Sequence, residues 1–267
     1  MNSLPDIKIE IRDLTMAFGS FVVMRDINAR VERGEVFVIM GGSGCGKSTL
    51  LRHMIGLKEP ATGEIYYDGT PFWRSSEEVR TQKLRSFGVL FQTGSLWSSM
   101  TLAENIGLVL GEYTGFSPAE IRAIARLKLA LVGLKGFEDY YPSEISGGMC
   151  KRAGLARAMA LDPDVLFFDE PSAGLDPISA RNLDELILQL RDSLGATFVV
   201  VSHELSSIFT IADNSVFLDA NNRTMRASGN PRELLKHSTD PAVRRFLTRG
   251  EASDPLHPGK PPSPQTL

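Results

Sequence analysis

The chain has 267 residues, 42% of them hydrophobic and 23% charged, the balance of a folded globular protein rather than a disordered one. Its 29 lysines and arginines against 32 aspartates and glutamates leave a net charge of -3, which argues against a nucleic-acid-binding surface, where a basic excess is the usual footprint. No apolar run approaches the roughly 20 residues that span a bilayer. The N-terminus shows neither the basic nor the apolar region of a secretory signal. The two cysteines, Cys45 and Cys150, form no disulfide framework or metal spacing, so a reducing cytoplasm is the expected compartment.

Residues 7 to 14 alternate, with Ile7, Ile9 and Ile11 against Lys8, Glu10 and Arg12, and predict a half-buried strand. A second strand signal covers Phe21 to Val23. Glu35 to Met40, an apolar run bounded by Gly34 and Gly41, reads as a fully buried strand. A helix is expected from Lys47 to Leu57. Gly63 to Tyr67 reads as a strand ending in the hairpin signal Asp68-Gly69, and Phe87 to Phe91 is another short apolar run. From about 93 to 145 the pattern is helical. There Ser117, Pro118 and Glu120 supply an N-cap, a first-turn proline and the third-position glutamate of a capping box. Ile121, Ile124 and Leu127 follow on one face, and Gly133 ends that helix.

Val165 to Phe168 reads as a strand. Asp176-Pro177 then opens a helix with Leu183, Leu186, Ile187, Leu190 and Leu194 at helical spacing, stopped by Gly195. Phe198 to Val201 is the next buried strand. Short apolar strands alternating with amphipathic helices imply parallel pairing in an α/β layered core, with the helical insert as a smaller lobe. No internal repeat is visible. From Glu251 the chain carries five prolines in 17 residues and few large apolar groups, a composition expected to be extended or partner-bound.

Gly41, Gly42, Ser43, Gly44, Cys45, Gly46, Lys47, Ser48 and Thr49 match the phosphate-binding loop GxxxxGK(S/T), in the strand-then-helix context that loop requires. Glycines there let backbone N–H groups turn inward as an anion nest on a helix N-terminus. Lys47 is expected to reach the β- and γ-phosphates of ATP, and Ser48 to place its hydroxyl on Mg²⁺. Asp169 and Glu170 follow the strand Val165 to Phe168, at the edge where ligands bind in open α/β sheets. Asp169 is the expected Mg²⁺ partner and Glu170 the candidate general base for the attacking water. The alternative for this acidic pair is a helix cap with no chemical role. Cys45, beside a helix N-terminus and Lys47, reads either as an incidental thiol in a slot that accepts any small residue or as a thiol of lowered pKa, readily alkylated and protected by ATP.

Further stretches resemble the ATP-binding-cassette (ABC) ATPases, over roughly residues 7 to 237. Ile145-Ser146-Gly147-Gly148-Met149 resembles the family signature. Gln92 is placed like the Q-loop glutamine, Ser172-Ala173-Gly174-Leu175-Asp176 like the D-loop, His203 like the switch histidine, and Phe18 like the aromatic that stacks on adenine. The resemblance implies a P-loop NTPase α/β core with a mostly parallel sheet, an N-terminal antiparallel β subdomain and a helical subdomain. It implies a domain over 1–239 with its helical lobe at about 93–160, followed by an extension over 240–267. The segment Arg244-Arg245-Phe246-Leu247 in that extension reads either as a frayed terminus or as a short amphipathic helix suited to docking on a neighbouring subunit.

The resemblance also implies how the parts act. Ser146, Gly147 and Gly148 would complete the ATP site of a second, head-to-tail copy. Asp176 would link the two sites, and His203 would contact the γ-phosphate region. Gln92 would sense the γ-phosphate at the metal and couple it to the helical lobe. Met149 stands where the signature usually ends in glutamine, which removes a polar contact there but leaves those of the serine and glycines. A signature ending in methionine and followed by a basic pair, Lys151-Arg152, resembles the ATPase of Mla/Mce-type phospholipid transporters. So do the stretches 90–97 and 240–247.

On that reading the chain works on the cytoplasmic face of the inner membrane. Its partners would be a second copy, separate permease subunits, an Mce-type substrate-binding protein and a small cytoplasmic accessory subunit, with no nucleic acid. ATPases of other small-substrate importers remain an alternative, as does a soluble ABC ATPase. The soluble forms usually have paired cassettes or a long coiled-coil insert, and this chain shows neither. A non-hydrolysing regulatory cassette is disfavoured because Lys47, Asp169, Glu170 and His203 are all present.

Overall fold

A computed structural model describes residues 6–250. The first elements are β1 (Ile7–Phe18), β2 (Phe21–Glu32), β3 (Val36–Gly41), α1 (Lys47–Met54), β4 (Thr62–Tyr67) and β5 (Thr70–Pro71). They are followed by α2 (Glu77–Leu84), β6 (Phe87–Leu90), α3 (Leu102–Tyr113), α4 (Pro118–Leu131) and α5 (Gly147–Ala158). The C-terminal half comprises β7 (Val165–Asp169), α6 (Pro177–Leu194), β8 (Thr197–Ser202), α7 (Leu205–Ile211), β9 (Asn214–Asp219), β10 (Thr224–Ser228), α8 (Pro231–His237) and α9 (Pro241–Leu247). Among the described residues no helix is long and apolar enough to cross a membrane.

Two sheets result. The order β2-β1-β4-β5 is antiparallel throughout, and the larger sheet runs β10-β9-β3-β8-β7-β6, parallel except for the β9–β10 pair. The parallel strands are buried on both faces, which is why they read as unbroken apolar runs. Val36, Val38, Leu166, Phe168, Phe198 and Val200 point to one core with the helical lobe and α5–α7. Phe37, Ile39, Val165, Phe167, Val199 and Val201 point to the other, which α1 and the antiparallel sheet complete.

Local chemistry sets the element ends. Asp68 and Gly69 both take positive φ (50° and 74°), the turn an Asp-Gly hairpin needs between β4 and β5. The boxes at Thr101/Glu104 and Ser117/Glu120 start α3 and α4, and Gly195 (φ 65°) ends α6. Helix α1 stops at Met54, three residues short of the expected Leu57, and Gly56 follows in the left-handed region. A Cβ on Gly56 would sit 2.9 Å from the Phe72 ring. Lys8 falls on the polar side of the β1 alternation but is only 3% exposed, because its ammonium pairs with Asp68 (3.0 Å) and Asp164 (3.1 Å).

The extension expected from residue 240 begins differently from its reading as an extended or partner-docked segment. Asp240 caps α9 by accepting from Ala242 and Val243 N–H groups, and Val243 and Leu247 enter the same core as α5–α7. The Phe246 ring lies 5.2 Å from that of Phe217. This helix therefore folds on its own chain. The proline-rich stretch from Glu251 lies outside the described residues.

Candidate functional site

Sheet order brings the candidate residues together. In β3-β8-β7 the strand ends are in register, Met40 opposite Ser202 and Asp169 opposite Val201. The loop after β3, His203 after β8, and Asp169-Glu170 at the end of β7 therefore meet at one edge, the carboxyl edge of the parallel strands.

The loop 41–49 is an open cradle. Gly42, Ser43 and Gly44 are exposed, whereas Cys45 and Lys47 are buried. Gly41 (φ 149°) and Gly46 (φ 95°) hold conformations that disfavour side chains, and a Cβ on Gly41 would meet Leu218 O at 2.5 Å and Cys45 Sγ at 2.7 Å. Helix α1 begins at Lys47 with no side-chain cap, which leaves N-terminal N–H donors for an anion. The Lys47 ammonium donates to the carbonyls of Gly41 and Gly42, each at 3.0 Å, and lies 4.0 Å from Glu170.

Ser48 Oγ donates to Asp169 Oδ1 at 2.8 Å. A hydroxyl and a carboxylate side by side are the hard oxygen donors that suit Mg²⁺, which is usually bound by one or two carboxylates plus substrate phosphates. The residues present thus fit that ion. Glu170 Oε1 lies 3.0 Å from His203 Nδ1, and His203 Nε2 lies 3.6 Å from Glu204. Glu170 takes φ 49°, uncommon for a residue with a side chain, and its N–H donates to Val201 O at 3.0 Å.

The remaining candidates stand around this centre. Phe18 is exposed at the β1–β2 tip with the Lys58 ammonium 2.9 Å from its ring centroid. Gln92 is exposed in the turn after β6. Asp176 caps α6 by accepting from Ile178 and Ser179 N–H, and these bonds, chiefly those with Ser179, hold its carboxyl below the ordinary value.

Ser146 caps α5 by accepting from Met149 N–H at 3.2 Å, and Ser146 and Gly147 are exposed. The hollow of about 430 Å³ beside them is lined by Ser146, Gly148, Met149, Arg152 and Ser179 among others, and by no residue of 41–49. The hollow at the serine–glycine turn is thus not part of the cradle that holds the lysine.

Of the two readings of Cys45, the reactive thiol fails. Cys45 is 2% exposed, and burial pushes its thiol up, outweighing the nearby Lys47. Its side chain packs under the cradle, so only its backbone is suited to a phosphate. The sequence also left the basic residues of α5 without a task. Lys151 donates to the carbonyl of Gln92, and Arg157 donates to Ser95 O at 2.7 Å.

Comparisons with known proteins agree with this geometry. The family described as ABC transporter matches residues 24–173. The probable ribonucleotide transport ATP-binding protein mkl of Mycobacterium tuberculosis is 43% identical over 241 residues, 90% of this chain, which spans only 66% of that relative's length. The intermembrane phospholipid transport system ATP-binding protein MlaF of Haemophilus influenzae is 40% identical over 248 residues, covering 93% of this chain and 92% of that protein. Among solved structures, cbiO1 from Clostridium perfringens, part of the ABC transporter complex cbiONQ, superposes with a TM-score of 0.80 at 26% identity, covering 91% of this chain and 96% of its own. The ATP-binding cassette MJ0796, in a dimeric post-hydrolysis state with ADP and Pi, gives 0.73 at 26% identity, covering 83% and 98%. On the matched residues and these identities, the chain belongs to the ABC transporter family.

Proposed function

We propose that this chain is the ATP-hydrolysing subunit of a transporter that moves phospholipid through a separate membrane permease. Two copies close head to tail on ATP. The observation that carries the reading is that the hollow beside Ser146 and Gly148 includes no residue of the cradle, where Ser48 meets Asp169 and Lys47 lies near Glu170. The cradle holds the phosphates of one nucleotide, and the Ser146–Gly148 turn is left to close on the nucleotide of a second copy.

In this reading the loop N–H groups of 41–49 hold the phosphates, and Lys47 exchanges its two carbonyl partners for phosphate oxygens. Ser48, Asp169 and Gln92 would hold Mg²⁺, which would supply charge to offset that developing on the transferred phosphoryl group. Phe18 stacks on the adenine. Glu170 takes a proton from the attacking water as its oxygen bonds to the terminal phosphorus and the bond to ADP breaks, releasing phosphate. His203 keeps the Glu170 carboxylate oriented. Asp176 and the signature turn of the partner copy close the site from the other side.

The phospholipid substrate is favoured by the MlaF relatives, which match nearly end to end. The mkl relatives, named for ribonucleotide transport, keep a second small-substrate reading alive, though this chain spans about two thirds of them. Partners in the proposal are a second copy, the permease, an Mce-type protein and a small accessory subunit. The location is the cytoplasmic face of the membrane. Purifying the chain with its membrane partners and identifying the bound small molecules by mass spectrometry tests the substrate. Co-purified phospholipid whose release depends on ATP is the expected result, and a nucleotide or solute in its place overturns the lipid reading.

A further inference from the structure

Helix α5, which begins at the signature turn, grips the turn that carries Gln92 at three points. Lys151 donates from Nζ to the Gln92 carbonyl. Arg157 donates to Ser95 O at 2.7 Å and to Gly94 O at 3.3 Å. Between them Gly154 lets the turn come close, since a Cβ there would lie 2.9 Å from both Gly94 O and Leu90 Cδ1. Gly154 is three residues from each of Lys151 and Arg157 and so neighbours both on the helix surface. The gripped turn is closed by Gly94 N–H on Phe91 O at 2.8 Å, and Gly94 and Ser95 both take positive φ, 72° and 51°. A non-glycine residue keeps such a conformation where its surroundings hold it.

Lys151 is the point that needs explaining, because burying an ammonium is costly unless something requires it. The residue is 6% exposed. Burial pulls its pKa down, opposed by the charges of Glu170 and then Asp169. Yet its hydrogen bond goes to the backbone of Gln92.

We propose that Lys151 is a positioning residue for ATP hydrolysis: it ties the backbone of Gln92 to the signature helix, so that Gln92 and the Ser146–Gly148 turn move as one body. This rests on the ATPase reading above and deepens it. When Gln92 engages the γ-phosphate end of its own copy's nucleotide, the turn that this copy offers to its partner shifts with it. The two sites of a dimer are thereby linked through α5 in each copy.

The test compares the native full-length chain with Lys151→Met, which keeps the length and apolar stem, and Lys151→Arg, which keeps a charged donor. The readouts are kcat and KM for ATP and the hydrogen-exchange rate of the 93–96 backbone. Losing a charge-assisted bond should lower kcat in Lys151→Met by about tenfold with KM changed less than about threefold, and speed exchange in the turn, while Lys151→Arg stays within about threefold of native in both. Should Lys151→Met not fold, Gly154→Ala displaces the same turn without touching the charge, and the same kcat loss and faster exchange are expected. Native kcat and native exchange in the variant that folds, or a kcat loss with unchanged exchange, overturns the inference and leaves the ATPase reading standing. A native chain that hydrolyses no ATP, alone or with its membrane partners, overturns both.

Discussion

His203 Nδ1 lies 3.0 Å from Glu170 Oε1, across the gap between the ends of β8 and β7, and the same carboxylate oxygen is 4.0 Å from the Lys47 ammonium. One carboxylate thus has an imidazole on one side and the phosphate-cradle lysine on the other, in a backbone conformation held by Val201. These contacts suit the role of general base proposed for Glu170. Glu170→Gln keeps the size and the hydrogen bonding but cannot take a proton. It is expected to retain ATP affinity within about twofold and to lose at least about a hundredfold in turnover, the typical contribution of a general base. Phosphate release and binding of a fluorescent ATP analogue check the two halves separately.

Asp184, on α6, gives a prediction for pH. Its Oδ1 has no hydrogen-bond partner, and burial raises its pKa from the ordinary 3.8 to about 6, opposed by a bond with Ser207. Between those two values the folded state binds more protons than the unfolded one, so this residue's contribution to stability is greatest in acid and is lost as pH rises through about 6. Asp184→Asn removes the cost of the buried charge. The variant is expected to gain about 1 kcal/mol over the native chain at pH 8, discounted for solvent screening, and to lose that advantage near pH 4. Denaturant titrations of both proteins at the two pH values give the comparison.

Gly88 marks the closest approach of β6 to α5. A Cβ there would collide with the Ala158 carbonyl and lie 2.6 Å from Leu166 Cδ2. Because a backbone oxygen cannot step aside as a side chain can, Gly88→Ala is expected to cost about 1–3 kcal/mol, seen as a lowered unfolding midpoint. It should also disturb the signature helix, so nucleotide-dependent association should weaken in the same variant.

The two thiols separate by burial. Cys45 is sealed under the cradle, whereas Cys150 is only partly covered, and both are pushed up by desolvation. Iodoacetamide is expected to label Cys150 first in the native chain, with Cys45 slower by about tenfold or more and reacting freely only after unfolding. Peptide mass spectrometry over time reads both positions, and early labelling of Cys45 would contradict the packing described here.

Much of this was legible in the amino-acid order because the chemistry is local. The cradle 41–49 is one loop whose glycines, lysine and serine have to be adjacent, and the capping box at Ser117/Glu120 is a four-residue rule. The buried strands betray themselves by length and by flanking glycines. What depends on distant chain segments was not legible. The alternation of β1 says nothing of Asp164, so the burial of Lys8 was hidden. The helix N-terminus beside Cys45 suggested a reactive thiol, and only the packing against Gly41 and Leu218 shows why it is not. Likewise α9 looked like a docking segment until Phe217, far upstream, supplied its partner ring. Lys151 carries no motif that names its acceptor, since that acceptor is a backbone carbonyl on another element.

The central claim is that each ATP site is built from two copies, and solution mass measures it most directly. Light scattering on Glu170→Gln with ATP is expected to give twice the mass of one chain, falling to one chain when the nucleotide is removed. Adding Ser146→Arg to the same variant is expected to leave ATP binding intact while the mass stays that of a single chain. A Glu170→Gln protein that remains a single chain when saturated with ATP, or a dimer indifferent to the change at Ser146, would contradict the account.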